Sequence, residues 1–210
     1  MKIETDNLPE LLATRLREPL PGWRAQRPFQ TELSFGRYFG PTPSDARPAA
    51  VMILLYRSAG EWHLPLTLRP DHLTDHAGQI SLPGGAIETG ERSADAALRE
   101  LDEELGIAAA DVGLLGELSP IYLFRSHFHI SPWLGVLQAP PVWKPNSAEV
   151  AELIELPLAM LVDPDRRQDE RHTHRGVEIA VPGFAWRSQH IWGATSMILH
   201  ELAAILSEGA

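Results

Sequence analysis

The sequence predicts one α/β domain organised as an α/β/α sandwich, in which helices cover a mixed sheet. Three patterns favour this class. Residues 49–56, AAVMILLY, form a continuous apolar run that suits a buried strand. Residues 93–105 and 195–207 carry apolar side chains at helical spacing, which predicts two amphipathic helices. Elsewhere, strand-like and helix-like runs alternate along the chain, as expected when helices pack on a mixed sheet.

The individual elements follow from local residue types. Residues 1–48 form a lead-in segment with a short helix at 8–16 and Pro- and Gly-rich sequence after it, so the main domain is assigned to residues 49–210. Pro157 is expected to open a short helix, and Thr195 to cap the closing one. Strands are predicted at 49–56, 62–68, 112–124, 127–136 and 150–156, the first two forming a hairpin.

Composition and charge bound the function. The chain has 210 residues, and its 44% hydrophobic and 22% charged residues are typical of a soluble globular protein. Because the sequence has neither a signal-peptide core nor an apolar run of about 18 residues, a cytoplasmic protein without a membrane partner is expected. The formal net charge of −10 argues against nucleic-acid binding, which needs clustered cations. The absence of cysteine excludes disulfides and thiolate chemistry.

A block of glycines and carboxylates at residues 85–107 carries the chemical signal. Ser93 is predicted to cap a helix that ends at Gly106, a residue free to adopt the left-handed conformation. At about 3.6 residues per turn, Glu100, Glu103 and Glu104 project within an arc of about 100°. A separate apolar face is left for packing. The block reads GAIETGERSADAALRELDEELGI, and its apolar face comprises Ala94, Leu98, Leu101 and Leu105.

This clustering of like charge is unfavourable unless a cation lies over it, because each i,i+3 or i,i+4 pair costs about 0.2–0.5 kcal/mol. Oxygen ligands alone favour a hard divalent ion, Mg²⁺ or Mn²⁺. Arg99 projects beside Glu103 and is able to reach Glu91, which would hold the carboxylates in a fixed orientation. An isolated E-x-x-E-E pattern is usually a solvated acidic helix face, but the flanking glycines and Arg99 argue against that alternative.

The same block matches every defining position of the Nudix signature, so the chain resembles the Nudix hydrolases. The resemblance implies the Nudix-type α/β/α sandwich with its loop-helix-loop catalytic motif, and metal-dependent hydrolysis of a diphosphate linked to another moiety. The matching residues are Gly85, Glu91, Arg99, Glu100, Leu101, Glu103, Glu104, Gly106 and Ile107.

The resemblance also implies roles for individual residues. In the family the counterparts of Glu91 and Arg99 form a structural pair. The general base is left open between a signature glutamate and Glu149, which follows in a later loop. The implied metal ligands are Glu100, Glu103 and Glu104; the implied catalytic residues are Glu103, Glu100, Arg99 and Glu149; the implied substrate-binding residues are Arg69, Gly78, Gly84 and Gly85.

The sequence before the signature looks like the coenzyme A diphosphatase branch of this family. That resemblance implies cleavage of coenzyme A or acyl-coenzyme A to 3′,5′-ADP and 4′-phosphopantetheine. Thr74 stands where the branch has an arginine, and a neutral hydroxyl supplies neither the charge nor the fork of a guanidinium. ADP-ribose, NADH and dinucleoside polyphosphates therefore stay as alternative substrates. The matches are Leu66, Thr67, Arg69, Gly78, Pro83, Gly84 and Gly85, with further similarity at residues 145–150, 156–158 and 190–195; the other departures are Pro65, Pro70 and the milder apolar replacement Leu82.

Two functions of other kinds compete with hydrolysis. A non-catalytic nucleotide-sensing Nudix module usually has a degraded signature, whereas this signature is intact. An isoprenoid diphosphate isomerase usually relies on a cysteine, and the chain has none. The expected partner is thus a small-molecule nucleotide diphosphate, and the sequence leaves open whether the protein forms a homodimer.

Several polar segments have a structural and a functional interpretation. Residues 163–175, rich in charge of both signs, are interpreted as a mobile surface loop rather than a substrate-binding lid. His127 and His129 share one strand face and are interpreted as structural rather than as a metal pair. Trp192 is expected to be a packing anchor rather than a nucleobase platform. For His76, contact with substrate phosphate and a structural role are both kept.

Overall fold

The computed structural model describes residues 7–34, 37, 41–72, 78–174 and 176–207. The helices are α1 Leu8–Arg15, α2 Trp23–Gln26, α3 Ser93–Leu105 and α4 Ala194–Ser207, and short 3₁₀ turns lie at Arg27–Phe29, Glu32–Ser34, Ala109–Asp111, Leu158–Val162 and Pro164–Arg166. The strands are β1 Arg47–Ser58, β2 Glu61–Leu68, β3 Ile80–Ser81, β4 Gly84–Ala86, β5 Val112–Glu117, β6 Ile121–Leu123, β7 Phe128–Leu137, β8 Glu152–Pro157, β9 Arg167–His174, β10 Val177–Trp186 and β11 Gln189–Trp192.

An eight-stranded mixed sheet forms the centre of the fold. Its main order is β3-β2-β1-β7-β5, with β4, β6 and β8 pairing to β1, β7 and β2 respectively. β1 runs antiparallel to β2, which confirms the predicted hairpin, and parallel to β7, which makes the sheet mixed. β4 also pairs with β1, through Ala49↔Ala86 and Val51↔Gly84. The start of the signature block is therefore anchored to the central strand.

The apolar sequence of β1 serves two cores, one on each face of the sheet. Ile53 and Leu55 belong to the core that also holds α1 and α4, whereas Met52 and Leu54 belong to the core covered by α3. Successive side chains of a strand point to opposite faces, so a strand covered on both sides must be apolar throughout. The predicted α/β/α sandwich is confirmed.

The ends of the helices follow the predictions only in part. Gly106 ends α3 in the left-handed conformation with φ 71° and ψ 29°, as predicted. Ser93 is not the cap: it is the first residue of α3, and its hydroxyl accepts a hydrogen bond of 3.1 Å from Trp133 Nε1. Thr195 likewise lies inside α4 and donates its hydroxyl to the carbonyl of Ile80 at 3.2 Å. Both side chains bind tertiary partners instead of a helix end.

Two other sequence interpretations are wrong. Residues 112–124 form two strands rather than one, since the chain leaves the sheet around Pro120 between β5 and β6. Residues 163–175 were expected to be a mobile loop, yet the described part of this run is a 3₁₀ turn followed by β9. β9 pairs with β10, which pairs with β11, in a second, three-stranded sheet. The charged run has no apolar periodicity of its own. It forms a strand because it pairs with the mostly apolar β10.

The N-terminal helices pack against α4. The buried carboxylate of Glu201 accepts hydrogen bonds from the backbone N–H of Gly22 at 3.0 Å and from Gln26 Nε2 at 2.9 Å. Phe29 stacks on Phe184 of β10 at a centroid separation of 4.6 Å, so the same segment reaches the second sheet. Among the described residues, no helix is both long and apolar enough to cross a membrane.

Candidate active site

Arg99 organises the loop and helix of the signature block. Its guanidinium donates two hydrogen bonds to Glu91, at 2.9 Å from Nε and 3.2 Å from Nη2, and this confirms the predicted pair. It donates further bonds to Glu100 at 2.8 Å, to Glu103 at 3.2 Å and to the carbonyl of Ala86 at 3.1 Å. A planar fork with five N–H donors suits this arrangement, which a lysine is unable to reproduce.

Glu91 and Arg99 each stabilise the charged form of the other. Hydrogen bonds from Arg99, and a second from the backbone N–H of Glu88, hold the pKa of Glu91 below its ordinary value. The same contacts, led by the one to Glu91, raise the pKa of Arg99 despite its partial burial. Glu91 therefore stays ionised, and the loop is fixed to α3 through a charged contact.

Two of the three glutamates of α3, Glu100 and Glu104, are turned away from solvent. Glu104 is only 3% exposed, and the Glu100 side chain is 13% exposed, whereas Glu103 is 52% exposed. The expected separation into an apolar packing face and a carboxylate face is wrong, because Ala96 and Ala97 are buried together with Glu104. Small alanine side chains let this part of the helix approach the sheet closely, so two carboxylates are enclosed.

Burial disfavours the ionised form of Glu104. The pKa of Glu104 is raised from 4.5 to about 7, mainly by desolvation and also by the charge of Glu100, while the hydrogen bond from the Gly84 N–H and the charge of Arg69 act in the opposite direction. Its oxygens accept weak hydrogen bonds of 3.3 Å from the Gly84 N–H and from the Thr67 hydroxyl. Burial also raises the pKa of Glu100, against the effect of Arg99. A divalent cation would stabilise both carboxylates.

Two glycines allow the loop to approach the carboxylates. A Cβ on Gly85 would overlap the carboxylate of Glu100, and a Cβ on Gly84 would overlap the carbonyl of Ala50 and the backbone of Val51. β4 therefore fits between β1 and α3 only because it has no side chains at these positions. The backbone of this short strand consequently reaches both carboxylates, since the Gly84 N–H donates to Glu104 and Gly85 lies against Glu100.

A later loop brings a further glutamate to the cluster. Asn146 donates its backbone N–H to the carbonyl of Glu104 at 2.9 Å, which docks the loop on the end of α3. The Asn146 side chain then donates to Glu149 Oε1 at 3.1 Å. The charge of Glu149 raises the pKa of both Glu100 and Glu104, so it lies within electrostatic range of the buried pair.

The upstream motif lies against the same cluster. The charge of Arg69 lowers the pKa of Glu104, and its buried Nε atom makes no hydrogen bond within the described part of the chain. Gly78 donates its backbone N–H to the Arg69 carbonyl at 3.1 Å and adopts a positive φ of 66°. Thr74 and His76 lie outside the described residues.

Sequence reasoning missed the residues that hold the carboxylates. Thr67 and Asn146 fall within the segments that resemble the coenzyme A branch, but no local signal indicates contact with Glu104 or Glu149. Both contacts join elements far apart in the chain.

His127 and His129 have separate partners, since His127 binds the Tyr122 hydroxyl at 2.9 Å and His129 binds Thr42 at 3.1 Å. Among the described residues, neither histidine belongs to a group of three or more potential metal ligands.

A sandwich fold that presents enclosed carboxylates beside a glycine-containing loop is a framework for metal-assisted hydrolysis of phosphate anhydrides. Comparison with known proteins agrees with this class. A family model described as NUDIX domain matches residues 46–176. The curated protein named uncharacterized Nudix hydrolase NudL, from Yersinia pestis (strain Pestoides F), is 35% identical over 176 residues, or 83% of this chain and 86% of that protein. The chain belongs to the Nudix hydrolase family, whose members are pyrophosphohydrolases acting on small nucleotide substrates.

Solved structures show the same fold at low sequence identity. The Nudix hydrolase RenU from M. smegmatis is similar with a TM-score of 0.55 and 16% identity, over 78% of this chain and 87% of that one. The MutT protein from Methanosarcina mazei Go1 gives a TM-score of 0.50 and 16% identity, over 77% of this chain and 95% of that one. These likenesses concern the fold alone.

Proposed function

We propose that this enzyme hydrolyses the diphosphate bond of coenzyme A or acyl-coenzyme A, with Mg²⁺ or Mn²⁺ bound by Glu100, Glu103 and Glu104. The observation that carries the proposal is the enclosure of Glu100 and Glu104 between α3 and the glycine-containing strand β4. A buried carboxylate pair is costly without a compensating cation. Within the described part of the chain, Arg99 donates a hydrogen bond to Glu100, and the charge of Arg69 acts on Glu104.

The residues present fit a hard divalent ion. Every proposed ligand is a carboxylate oxygen, the donor type that Mg²⁺ and Mn²⁺ favour. Arg99 already binds one oxygen each of Glu100 and Glu103, which leaves the other oxygen of each carboxylate for the ion. When bound, such an ion neutralises diphosphate charge and lowers the pKa of a coordinated water.

The remaining roles belong to side chains of the protein. Arg99 orients the ligands and ties them to the loop through Glu91. We assign proton abstraction from the attacking water to Glu149, because Asn146 fixes its orientation and its charge acts on Glu100 and Glu104. Glu103 is the other candidate, but it is half exposed and already accepts a hydrogen bond from Arg99. Arg69, whose Nε has no hydrogen-bond partner among the described residues, is suited to bind a phosphate oxygen.

The coenzyme A assignment rests on three segments that meet near β3. The motif around Arg69 and Gly78 leads into β3, the loop with Glu149 pairs with the end of β2 through the Ala151 N–H and the Leu68 carbonyl, and Thr195 bonds to Ile80 of β3. These are the segments whose sequences resemble the coenzyme A branch. Their meeting around β3, which pairs with β2 at Thr67, the residue that contacts Glu104, supports a shared substrate site.

A substrate panel tests the proposal. Coenzyme A, acyl-coenzyme A, ADP-ribose, NADH and dinucleoside polyphosphates are incubated with the enzyme and Mg²⁺ or Mn²⁺, and product masses are measured. Release of 3′,5′-ADP and 4′-phosphopantetheine is expected. Robust ADP-ribose hydrolysis without coenzyme A turnover would overturn the assignment of coenzyme A as the substrate, but not the assignment of the carboxylates as metal ligands. Near-normal turnover by Glu104→Gln, beside an active Asp102→Asn control on the exposed side of the same helix, would overturn the site.

A further inference from the structure

The second sheet holds a group of metal-ligating side chains that the diphosphatase site does not use. Glu170 and His172 lie on β9 and His190 lies on β11, with β10 between them. The antiparallel registers Gln168↔Gly183 and Gly183↔Trp192 put these side chains on one face of the sheet. One ligand atom from each of the three residues lies within 4.8 Å of the other two.

A glycine on the central strand lets the two outer strands meet. Gly183 lies beneath the ring of His190, and a Cβ there would overlap His190 Nε2. The ring therefore extends over the backbone of β10 towards β9, where its Nε2 lies 3.2 Å from the carbonyl of Gln168. A side chain normally contacts only the neighbouring strand. The His190 ring of β11 reaches β9 because Gly183 of β10, the strand between them, has no side chain.

The hydrogen bonds of His190 fix its tautomer. A carbonyl oxygen only accepts, so Nε2 must carry the proton that is donated to Gln168. In the neutral ring, Nδ1 then has no proton and presents a lone pair. It is buried, since the His190 side chain is 6% exposed, and it lies 3.3 Å from Glu170 Oε2 without the geometry of a hydrogen bond. Nδ1 of His190 thus faces Glu170 Oε2, the same oxygen that contacts His172 Nε2.

The distances suit a tetrahedral ion. Glu170 Oε2 lies 3.3 Å from His172 Nε2 and 3.3 Å from His190 Nδ1. Zinc ligands at about 2.0–2.1 Å in a tetrahedron are about 3.3 Å apart. The bond from His190 to the Gln168 carbonyl is the outer-shell contact that metal-binding histidines usually make. Two imidazoles and one carboxylate favour a borderline ion over Mg²⁺.

We propose that Glu170, His172 and His190 bind a Zn²⁺ ion that joins β9 to β11, at a site separate from the catalytic carboxylates. Three protein ligands leave the fourth position of the tetrahedron for water. The ion would cross-link two strands that are not neighbours in the sheet, since β10 lies between them. It would hold the charged strand β9 in place.

Zinc titration of the full-length, chelator-stripped protein tests the site. Calorimetry is performed in excess Mg²⁺, so that the catalytic carboxylates are occupied. One tight equivalent of Zn²⁺ is expected, with an increase in the thermal unfolding midpoint. His190→Gln and His172→Gln are each expected to weaken binding by about 100-fold or more. His63→Gln is the matched control, because His63 lies on β2 outside this group, and it should bind as the wild type does.

A measurement on the wild type alone guards against variants that do not fold. X-ray absorption at the zinc edge should show two imidazoles and oxygen in a four-coordinate shell, and Co²⁺ should give the visible bands of a tetrahedral complex. Oxygen-only ligation, or affinity unchanged by both histidine substitutions, would overturn the proposal. The lack of a tight equivalent of Zn²⁺ in the wild type would also overturn it.

Discussion

Replacing Glu104 by glutamine should stabilise the metal-free protein at neutral and alkaline pH. Burial raises the pKa of Glu104 from its ordinary 4.5 to about 7. The folded state therefore holds this proton more tightly than the unfolded state does. The stabilising effect of the proton is complete below pH 4.5 and is lost as the pH rises through about 7.

The magnitude follows from the difference between the two pKa values. Each pKa unit corresponds to about 1.4 kcal/mol. The rise from 4.5 to about 7 therefore amounts to about 3 kcal/mol of lost unfolding free energy when Glu104 becomes fully ionised. Glutamine carries no charge, and it keeps an oxygen for the Gly84 N–H and an amide for the Thr67 hydroxyl. Glu104→Gln should escape this loss.

Urea unfolding in the presence of a chelator, at about pH 4 and about pH 8, measures the effect. The stability of Glu104→Gln relative to wild type should increase by about 3 kcal/mol between these two pH values. Asp102→Asn removes the same charge from an exposed position of α3 and controls for the loss of a carboxylate from this helix. Added Mg²⁺ should then stabilise the wild type but not Glu104→Gln. A difference between Glu104→Gln and wild type that does not change with pH would refute the reasoning.

Three further predictions concern other residues of the candidate active site. Arg99→Lys loses the fork that joins the loop to three glutamates, so kcat/KM should fall about 10- to 100-fold; circular dichroism would check that the fold is retained, and unchanged kinetics would contradict this role. Gly85→Ala places a methyl group on the Glu100 carboxylate, so Mn²⁺ titration followed by electron paramagnetic resonance should show weakened binding, whereas Gly113→Ala, where a Cβ has room, should bind normally. Glu149→Gln should lower kcat by about 10²–10⁴-fold with little change in KM, and should remove the limb of the pH–rate profile that depends on the general base. A pH–rate profile and kcat like those of the wild type would show that another group abstracts the proton.

Local sequence predicted the elements whose signals lie within a few residues. The helix of the signature block ends at Gly106 because the chain needs a residue that tolerates positive φ there. Arg99 meets Glu91 because the loop between them is short and the helix phase brings the two side chains together. The apolar run of β1 has no polar alternation because helices cover both faces of the sheet. Such features depend on backbone conformation and helical or strand period.

Tertiary structure decided which way the carboxylates face. Helical periodicity places Glu100 and Glu104 on one side of α3, but it does not state whether that side meets solvent or the sheet. The approach of the alanine-bearing turn to β4, possible only with Gly84 and Gly85, encloses the two glutamates and raises their pKa values. Desolvation depends on all neighbouring atoms, and those come from remote parts of the chain.

The same physical limit explains the second sheet. The sequence by itself determined a signature that defines a reaction class and a family, because its chemistry is written within residues 85–107. It gave no indication that the charged run with Glu170 and His172 is a strand, since β9 depends on pairing with β10 rather than on a pattern of its own. The meeting of those residues with His190 was decided only by strand order and by the missing side chain of Gly183. Long-range pairing places such side chains together, and local residue pattern does not record it.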